Sequence, residues 1–400
     1  MKYLMLIGDG MADIPIEELG NKTILQHANT PYMDYMAKNG INGLAKTVPD
    51  NMPPGSDVAN MSLLGYDPKK YYSGRAPLEA ASMGVELAEN DIAFRCNLVT
   101  LKNNLLQDYS ADHISTEHAT QLINHLNSAF CDDSSFQMYP GMSYKHLLIA
   151  KEGLGTDTLC KPPHDIMGQF WKDNLPTGKD SESISEIITK SYSILEHHPL
   201  NLEKVKNKQS PANSIWLWGQ GKAPEFPAFN DMYGIKGSVI SAVDLIKGIG
   251  IYSKLDVIEV PGATGYFDTD YKAKAEYAIN ALTEQDQDIV FVHVEAPDEA
   301  GHIGSIKEKV RAVENFDEKV VGTILSHIKD NKENYRVLIT PDHPTPIKFR
   351  THTADPVPFT IYSNNPIQSD YVESYDENAA IQGSLGQVMG YDLINTMMNL

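Results

Sequence analysis

The sequence has few cysteines, and their arrangement argues against cysteine-based stabilisation. Only Cys96, Cys131 and Cys160 occur in 400 residues. They form neither the closely spaced pairs of a zinc site nor an even set for disulfide pairing. We expect all three to be reduced and mostly buried.

A long apolar run and an excess of positive charge are also missing. The apolar stretch at residues 1–7 stops at Gly8 and Asp9, which makes it too short for a signal sequence or a membrane span. The formal net charge of −20 argues against general binding to nucleic acid or to an anionic membrane surface. These absences predict a soluble, cytoplasmic protein that binds neither nucleic acid nor a membrane, and they leave its oligomeric state open.

Arginine is scarce, which makes each one a candidate contact for an anion. The arginines are Arg75, Arg95, Arg311, Arg336 and Arg350. Their guanidinium groups are good bidentate partners for phosphate and carboxylate. In so acidic a chain, an anionic substrate must be bound by a local basic pocket or by metal. No glycine-rich loop typical of an ATP site is present.

Strands that alternate with amphipathic helices predict an α/β protein. Expected strands lie at residues 2–7, 214–218, 256–260, 289–294, 336–340 and 357–362, and expected helices at 31–38, 239–249, 271–282 and 306–330. Such alternation implies a mostly parallel sheet with helices on both faces. Residues 76–209 differ in pattern, with strands at 91–101 and 145–150 and helices at 115–126 and 186–197. We predict a discontinuous larger domain, 1–75 and 210–400, and a smaller inserted α+β domain, 76–209.

The stretch Pro53-Pro54-Gly55-Ser56-Asp57 predicts an exposed serine at the start of a helix. The prolines and the glycine favour a tight turn, which places Ser56 at the N-cap. Backbone N–H groups and the positive end of a helix dipole can hold a phosphate or a developing anion there. Most serines at such positions only cap the helix, so a chemical role depends on the residues that accompany Ser56.

Acidic and histidine residues cluster at the ends of the expected strands. They are, in chain order, Asp9, Asp298, His302, Asp342, His343 and His352. Open α/β sheets place their ligands at the carboxyl ends of the strands. The spacing of four between Asp298 and His302 places both on one face of a helix. An Asp-His pair alone is more often a loop feature, but the placement of the whole set indicates a functional site.

Three carboxylates, three imidazoles and the Ser56 hydroxyl form a mixed oxygen and nitrogen ligand set. Such a set suits Mn²⁺, Zn²⁺ or Co²⁺ better than Mg²⁺, which prefers oxygen and water. Seven ligands are enough for two ions in one pocket. Two ions beside a serine can lower the pKa of its hydroxyl and neutralise phosphoryl oxygens. The residues alone therefore indicate two-metal phosphoryl transfer through serine.

Four longer motifs resemble those of one enzyme family. They are residues 54–60 (PGSDVAN), 72–80 (YSGRAPLEA), 295–302 (EAPDEAGH) and 352–358 (HTADPVP). They are similar to motifs of the archaeal-type, cofactor-independent phosphoglycerate mutases of the alkaline phosphatase superfamily, and the likeness runs from the first strand to near the C-terminus. The resemblance implies an alkaline-phosphatase-like fold. It also implies interconversion of 3-phosphoglycerate and 2-phosphoglycerate through a phosphoserine intermediate, without bisphosphoglycerate.

The resemblance also implies a role for each member of the ligand set. Ser56 would be the nucleophile. One ion would be bound by Asp9, Ser56, Asp342 and His343, and the other by Asp298, His302 and His352. The ions would be Mn²⁺, with Zn²⁺, Co²⁺ or Mg²⁺ as alternatives.

The inserted domain is expected to bind the small, anionic phosphorylated substrate and to close over it, so that water does not hydrolyse the phosphoserine. Arg75 and Arg95 are candidates for binding phosphate or carboxylate. His164 and Asp165, in a proline-rich loop, are candidates for an acid/base or orienting pair. Simpler explanations exist: a loop salt bridge for Arg75, a strand-face ion pair for Arg95 and loop packing for His164.

Three other functions stay open at this point. A phosphotransferase of the same subfamily would act as a homoserine kinase, and a phosphatase or phosphodiesterase would transfer the phosphoryl group to water. A degenerate binding protein would use none of this chemistry, but seven intact ligand positions argue against it. The choice of phosphoglycerate rests on the resemblance alone.

Overall fold

The chain folds into two compact units. The computed structural model describes residues 1–130, 134–329, 331–365 and 367–400. Its larger unit comprises Met1–Tyr72 and Glu225–Leu400, and its smaller unit is Ser73–Pro224. The predicted boundaries lie at 75/76 and 209/210.

The regular elements are numbered in chain order. The strands are β1 (Lys2–Gly8), β2 (Ile41–Lys46), β3 (Ile92–Lys102), β4 (Leu105–Asp108), β5 (Phe136–Tyr139), β6 (Lys145–Ala150), β7 (Thr158–Leu159), β8 (Thr177–Gly178), β9 (Ser214–Gly221), β10 (Gly237–Ile240), β11 (Asp256–Val257), β12 (Ile289–Val294), β13 (Tyr335–Thr340), β14 (Val357–Ser363) and β15 (Gln387–Met389). The α-helices are α1 (Ile24–His27), α2 (Pro31–Lys38), α3 (Ser56–Leu63), α4 (Pro68–Tyr71), α5 (Arg75–Ser82), α6 (Thr116–Ala129), α7 (Ser181–Leu195), α8 (Pro199–Lys206), α9 (Phe229–Tyr233), α10 (Asp244–Tyr252), α11 (Tyr271–Glu284), α12 (Ala296–Ile303), α13 (Ile306–Asn315), α14 (Gly322–Ile328), α15 (Glu377–Ala380) and α16 (Leu393–Asn399).

The larger unit is built on a sheet that, over the described residues, has eight strands in the order β11-β10-β12-β1-β13-β14-β2-β15. β1 is parallel to both of its neighbours, and it pairs Gly8 with Val294 of β12 and Ile7 with Thr340 of β13. β14 is antiparallel to β13 and β2, whereas the other pairs are parallel. Because β12, β1 and β13 run side by side, the residues that follow them meet at one edge of the sheet.

Helices cover both faces of this sheet. Successive side chains of a strand point to opposite faces, and Val290 and Val292 of β12 belong to a core that α2, α11, α13 and α14 share. The side chain between them, Phe291, points the other way and meets the ring of Phe229 from α9 with 5.7 Å between centroids. The predicted fold class, α/β with a mostly parallel sheet and helices on both faces, is confirmed.

The smaller unit is an α+β structure around an antiparallel sheet. Its strands follow the order β4-β3-β6-β5, and β9 also pairs with β3. Trp216 of β9 and Phe94 of β3 lie in a core to which α6 and α7 contribute. Residues 214–218 were expected in the larger sheet, but β9 belongs to the smaller one because it pairs antiparallel with β3. For the same reason this unit extends to Pro224.

Two elements of the larger unit differ from the prediction. The sequence predicts one helix over residues 239–249, whereas the structure has β10 followed by α10. Val239 and Ile240 extend the parallel sheet beside β12, and this long-range pairing overrides the local helical pattern. The helix predicted over 306–330 consists of α13 and α14, joined by the π-helical turn Phe316–Val321. Its last residue, Asp330, lies outside the described residues.

Two expectations drawn from composition can be compared with the structure. Cys96 is a buried free thiol and Cys160 a half-buried one, while Cys131 lies outside the described residues. Over the described ranges, the chain has no helix with the length and apolarity needed to cross a membrane. The cytoplasmic location stays a prediction.

A fully buried ion pair ties the loops after β1 and β13 to α13. Nζ of Lys309 lies 2.8 Å from Oδ2 of Asp13, and it also donates to the carbonyls of Ala12 at 3.1 Å and Thr345 at 2.8 Å. The same Asp13 oxygen accepts the backbone N–H of Ile347 at 3.2 Å. These hydrogen bonds offset the cost of burying two charges. The pair therefore fixes both loops against one helix.

Replacing Lys309 by Met is expected to destabilise the protein by about 3–5 kcal/mol, because it leaves the Asp13 charge buried without its partner. The free energy of unfolding in urea measures this loss. Lys307→Met, at an exposed position of the same helix, is the matched control and should change stability by less than about 0.5 kcal/mol. Similar stabilities for the two variants would contradict the importance of the pair.

Candidate metal centre

Two candidate ligands come from α12, which begins directly after β12. Pro297 lies at the start of this helix, where the missing N–H costs no hydrogen bond. One helical turn separates Asp298 from His302, and Nε2 of His302 lies 3.1 Å from Oδ2 of Asp298. The two side chains therefore meet on one face of the helix, as their spacing predicts.

The loop after β13 contributes a fully buried pair, Asp342 and His343. Oδ1 of Asp342 accepts the backbone N–H groups of Gly10 at 3.1 Å and His343 at 2.7 Å, and its Oδ2 accepts from Nδ2 of Asn60 at 2.7 Å. These hydrogen bonds hold the carboxylate in one orientation. Nε2 of His343 lies 3.5 Å from Oδ1 of Asp9 and 3.4 Å from Oδ2 of Asp342.

Ser56 lies at the start of α3, but its predicted N-cap position is wrong by one residue. Gly55 is the N-cap, and its carbonyl accepts the N–H of Ala59 at 2.9 Å, so Ser56 is the first helical residue. The hydroxyl of Ser56 is therefore not used to cap the helix. Its Oγ lies 3.1 Å from Nε2 of His343.

His352 completes the set, because its Nε2 lies 2.9 Å from Nε2 of His302 and 3.5 Å from Oδ1 of Asp298. Two groups could each hold a metal ion, with ligand atoms within 4.8 Å of one another: Asp9, Asp342 and His343, and Asp298, His343 and His352. His343 belongs to both groups, so the two groups form one continuous centre. The structure brings all seven candidate ligands together within the larger unit.

Negative charge is crowded around Asp9. Burial raises the pKa of Asp9 well above its ordinary value, and the charges of Asp342 and Asp298 raise it further. Among the described residues, neither carboxylate oxygen of Asp9 accepts a hydrogen bond, although Nε2 of His293 lies 3.1 Å from Oδ2. A buried carboxylate without donors is costly unless a cation neutralises it. These orphaned oxygens, together with the mixed oxygen and nitrogen donors, fit divalent cations.

Asp298, which is buried, and His302, which is half-buried, form an ion pair. Burial would raise the pKa of Asp298, but hydrogen bonds from His302 and His352 lower it well below its ordinary value. Burial would lower the pKa of His302, but the hydrogen bond and charge of Asp298 raise it to about 9. A divalent cation must therefore displace a proton from His302 before this histidine can be a ligand.

Asn60 is a neighbour of the centre whose role the sequence pattern does not predict. It is fully buried, and Nδ2 donates to Oδ2 of Asp342 at 2.7 Å and to the carbonyl of Ser56 at 2.9 Å. The available signal was its position one helical turn after Ser56, on the same face of the predicted helix. Asn60 thus connects the serine to a carboxylate of the centre.

Two further buried neighbours, His293 and Thr345, were also missed. Nε2 of His293 approaches Oδ2 of Asp9 at 3.1 Å, and its Nδ1 lies 3.3 Å from Oγ of Ser241. A single histidine in the apolar strand β12 was a signal that could have identified it. Thr345 contacts ligands of both groups, and nothing in its local sequence marks it.

The smaller unit holds the candidate arginines side by side. Nε of Arg95 donates to Oε2 of Glu79 at 2.9 Å, and Nε of Arg75 lies 3.8 Å from Oε1 of Glu79. The Arg95 guanidinium stacks over the ring of Trp218, 4.2 Å from its centroid. Burial lowers the pKa of Arg95, and the charge of Arg75 contributes to that shift. Glu79 and Trp218 thus hold the Arg95 guanidinium in place, a role that the sequence pattern does not predict.

His164 lies beside the same tryptophan, and both His164 and Asp165 are exposed. The ring centroids of His164 and Trp218 are 5.3 Å apart. Burial lowers the pKa of His164, and the charges of Arg95 and Arg75 act in the same direction. Nε2 of His164 lies 3.7 Å from Oδ1 of Asp165. The smaller unit therefore brings His164 close to the arginines, and Asp165 lies next to His164 at the surface.

Sequence comparison finds relatives that match the whole chain. Residues 37–201 match the family model described as 2,3-bisphosphoglycerate-independent phosphoglycerate mutase. The chain is 57% identical over 398 residues to the 2,3-bisphosphoglycerate-independent phosphoglycerate mutase of Methanosarcina barkeri, which covers 100% of this chain and 99% of the relative. It is 48% identical over 403 residues to a probable mutase of the same description from Geobacter sulfurreducens, with both chains covered completely.

Solved structures share the fold along the whole chain. A protein from Pyrococcus horikoshii superposes with a TM-score of 0.84 at 31% identity, covering 100% of this chain and 96% of that one. The cofactor-independent phosphoglycerate mutase of Thermoplasma acidophilum superposes with a TM-score of 0.67 at 27% identity, covering 100% and 99%. The similarity therefore includes both units.

Replacing Asp9 by Asn is expected to raise the thermal midpoint of the metal-free protein, because it removes one of several crowded buried charges. It should also remove most of the stabilisation by Mn²⁺, which for the unmodified protein is about 2.7 kcal/mol at a hundredfold excess over Kd. Scanning calorimetry with and without Mn²⁺ measures both effects. Asp231→Asn, at an exposed carboxylate of the larger unit, is the control. A lower metal-free midpoint for Asp9→Asn would contradict the crowding.

Proposed function

This chain belongs to the family of 2,3-bisphosphoglycerate-independent phosphoglycerate mutases, and from that membership we propose that it interconverts 3-phosphoglycerate and 2-phosphoglycerate through a phosphoserine on Ser56. The observation that carries this proposal is the position of the Ser56 hydroxyl, 3.1 Å from His343 at the edge of a buried cluster of carboxylates and imidazoles. A serine in that place can accept a phosphoryl group whose charge bound cations offset.

Two divalent cations complete the proposed centre. We assign one to Asp9, Ser56, Asp342 and His343, and the other to Asp298, His302 and His352. The mixed donor set favours Mn²⁺, with Zn²⁺, Co²⁺ or Mg²⁺ as alternatives. When bound, the cations neutralise phosphoryl oxygens and lower the pKa of the serine hydroxyl.

Ser56 carries the phosphoryl group in both halves of the proposed reaction. In the first half, a bond forms between Oγ of Ser56 and phosphorus, and the bond from phosphorus to the 3-oxygen of the substrate breaks. The serine proton ends on that oxygen, which leaves glycerate. In the second half, the 2-oxygen of glycerate takes the phosphoryl group and Oγ regains a proton. Water, nucleotide and bisphosphoglycerate take no part, so the atoms balance within the substrate.

The smaller unit supplies cationic side chains for the substrate in this proposal. Arg75 and Arg95 bind its phosphate or carboxylate, and His164 with Asp165 orients its hydroxyl groups. Glu79 holds Arg95 by a 2.9 Å hydrogen bond, and the ring of Trp218 supports the guanidinium plane. This support favours a fixed geometry, as bidentate binding of an anion requires. An anion beside the two arginines would also offset their mutual repulsion.

Ser56→Ala is expected to abolish the conversion of 3-phosphoglycerate to 2-phosphoglycerate while Mn²⁺ binding is largely retained, because the charged or imidazole ligands Asp9, Asp342 and His343 still hold the cation assigned to that side. His302→Ala should weaken Mn²⁺ binding itself. Phosphorus NMR of the protein with Mn²⁺ and 3-phosphoglycerate, and without bisphosphoglycerate, follows 2-phosphoglycerate and free phosphate together. Calorimetric titration follows the metal. Equal loss of metal in both variants would contradict these roles.

The same experiment separates the proposed activity from its alternatives. Rapid formation of 2-phosphoglycerate with little free phosphate supports the mutase. Free phosphate as the sole product would make the protein a phosphatase. A parallel sample with homoserine and ATP tests the phosphotransferase, and phosphohomoserine there without 2-phosphoglycerate would overturn the substrate assignment while leaving the metal centre in place.

Arg95→Lys is expected to lower kcat/KM for 3-phosphoglycerate about 10- to 100-fold, as the loss of a charge-assisted hydrogen bond worth about 1.5–3 kcal/mol predicts. Lysine keeps the charge but cannot bind bidentately or stack in the same way. Steady-state kinetics measures the change, and Mn²⁺ binding should be unaffected. Arg311→Lys, on the exposed side of α13, is the matched control. Unchanged kinetics for Arg95→Lys would remove Arg95 from substrate binding.

A further inference from the structure

We propose that Thr345 is a positioning residue that couples the two halves of the metal centre. Its side chain is fully buried. Its hydroxyl donates to Oδ1 of Asp298 and lies 3.3 Å from Nδ1 of His343. These two ligands belong to different cations in the proposed centre, on which this inference rests. One hydroxyl thus contacts both halves.

The direction of each hydrogen bond follows from the number of protons available. A hydroxyl has one proton to donate, and an ionised carboxylate can only accept. Since Thr345 donates to Asp298, its oxygen can only accept from His343. Nδ1 of His343 must then carry the imidazole proton, which leaves the lone pair on Nε2. That is the nitrogen that faces Asp9, Asp342 and Ser56.

The same hydroxyl therefore prepares two ligands at once. It fixes the tautomer of His343 in which Nε2 can bind a cation, and it fixes one carboxylate oxygen of Asp298. Neighbours that orient metal ligands in this way typically contribute 10- to 100-fold to metal affinity. Because one hydroxyl serves both ligands, its removal should weaken both cation-binding steps.

Thr345 itself is held from three sides. Its carbonyl accepts from Nζ of Lys309 at 2.8 Å. A Cβ atom at Gly301 would lie 2.5 Å from the carbonyl oxygen of Thr345, and a Cβ atom at Gly10 would lie 2.7 Å from its hydroxyl oxygen. Both distances are too short for a real Cβ atom, so only glycine lets these two backbone segments pack so closely against Thr345. Gly10 also has a φ of +63°, which favours glycine. The hydroxyl consequently has little freedom to turn away from the ligands.

A comparison of four side chains at position 345 (threonine, valine, serine and alanine) separates the contribution of the hydroxyl to metal affinity from that of the methyl group. Thr345→Val removes the hydroxyl and keeps the branched shape, whereas Thr345→Ser keeps the hydroxyl and removes the methyl group. Thr345→Ala removes both. The difference between the serine and alanine variants is a second measure of the contribution of the hydroxyl to metal affinity. The proposal can therefore still be tested if the valine variant does not fold. Thr360→Val is the matched control, because Thr360 is fully buried in β14 and its hydroxyl has no hydrogen-bond partner among the described residues.

The experiment is a calorimetric titration of each metal-free, full-length variant with Mn²⁺. We expect two binding steps for the unmodified protein, for Thr345→Ser and for Thr360→Val. In Thr345→Val and Thr345→Ala both steps should weaken about 10- to 100-fold. Equal weakening in the serine and alanine variants, unchanged binding in the valine variant, or weakening of one step only would each overturn the coupling role. Fewer than two steps in the unmodified protein would instead refute the two-cation centre.

Discussion

The crowding of three buried carboxylates is the constraint on which the rest of this structure depends. Asp9, Asp298 and Asp342 each follow one of three adjacent parallel strands, so the sheet itself brings their charges together. All three are almost completely buried, and neither oxygen of Asp9 accepts a hydrogen bond from the described residues. Such an arrangement favours a partner of high positive charge. The parallel sheet therefore gathers carboxylates that could hold a cation.

Neutral polar groups around the carboxylates hold two of them in place without adding charge. Asn60 donates to Asp342, and Thr345 donates to Asp298, while the ammonium group of Lys309 holds the carbonyl of Thr345. Neutral donors such as Asn60 and Thr345 orient a carboxylate but leave its charge available to a cation. The buried cation Lys309 is matched with Asp13 rather than with a candidate ligand.

The smaller unit contributes side chains of the opposite charge. Arg75, Arg95 and His164 lie near one another, and Glu79 and Trp218 hold Arg95 in place. In a chain of net charge −20 this concentration of cationic groups favours an anionic ligand. Since relatives and solved structures match both units, the two kinds of chemistry belong to one family architecture.

Local patterns in the sequence determined the fold class and identified the candidate ligands. Hydrophobic periodicity marks strands and helices, and the spacing of Asp298 and His302 is a property of one helical turn. Long-range pairing decided the rest. β9 lies in the smaller sheet because it pairs with β3, a strand more than a hundred residues away in sequence. β10 replaces the start of an expected helix because it pairs with β12. The roles of Thr345 and His293 depend on contacts between separate loops and strands. Only the tertiary structure creates those contacts, because no local pattern encodes which distant side chain a buried hydroxyl or imidazole will meet.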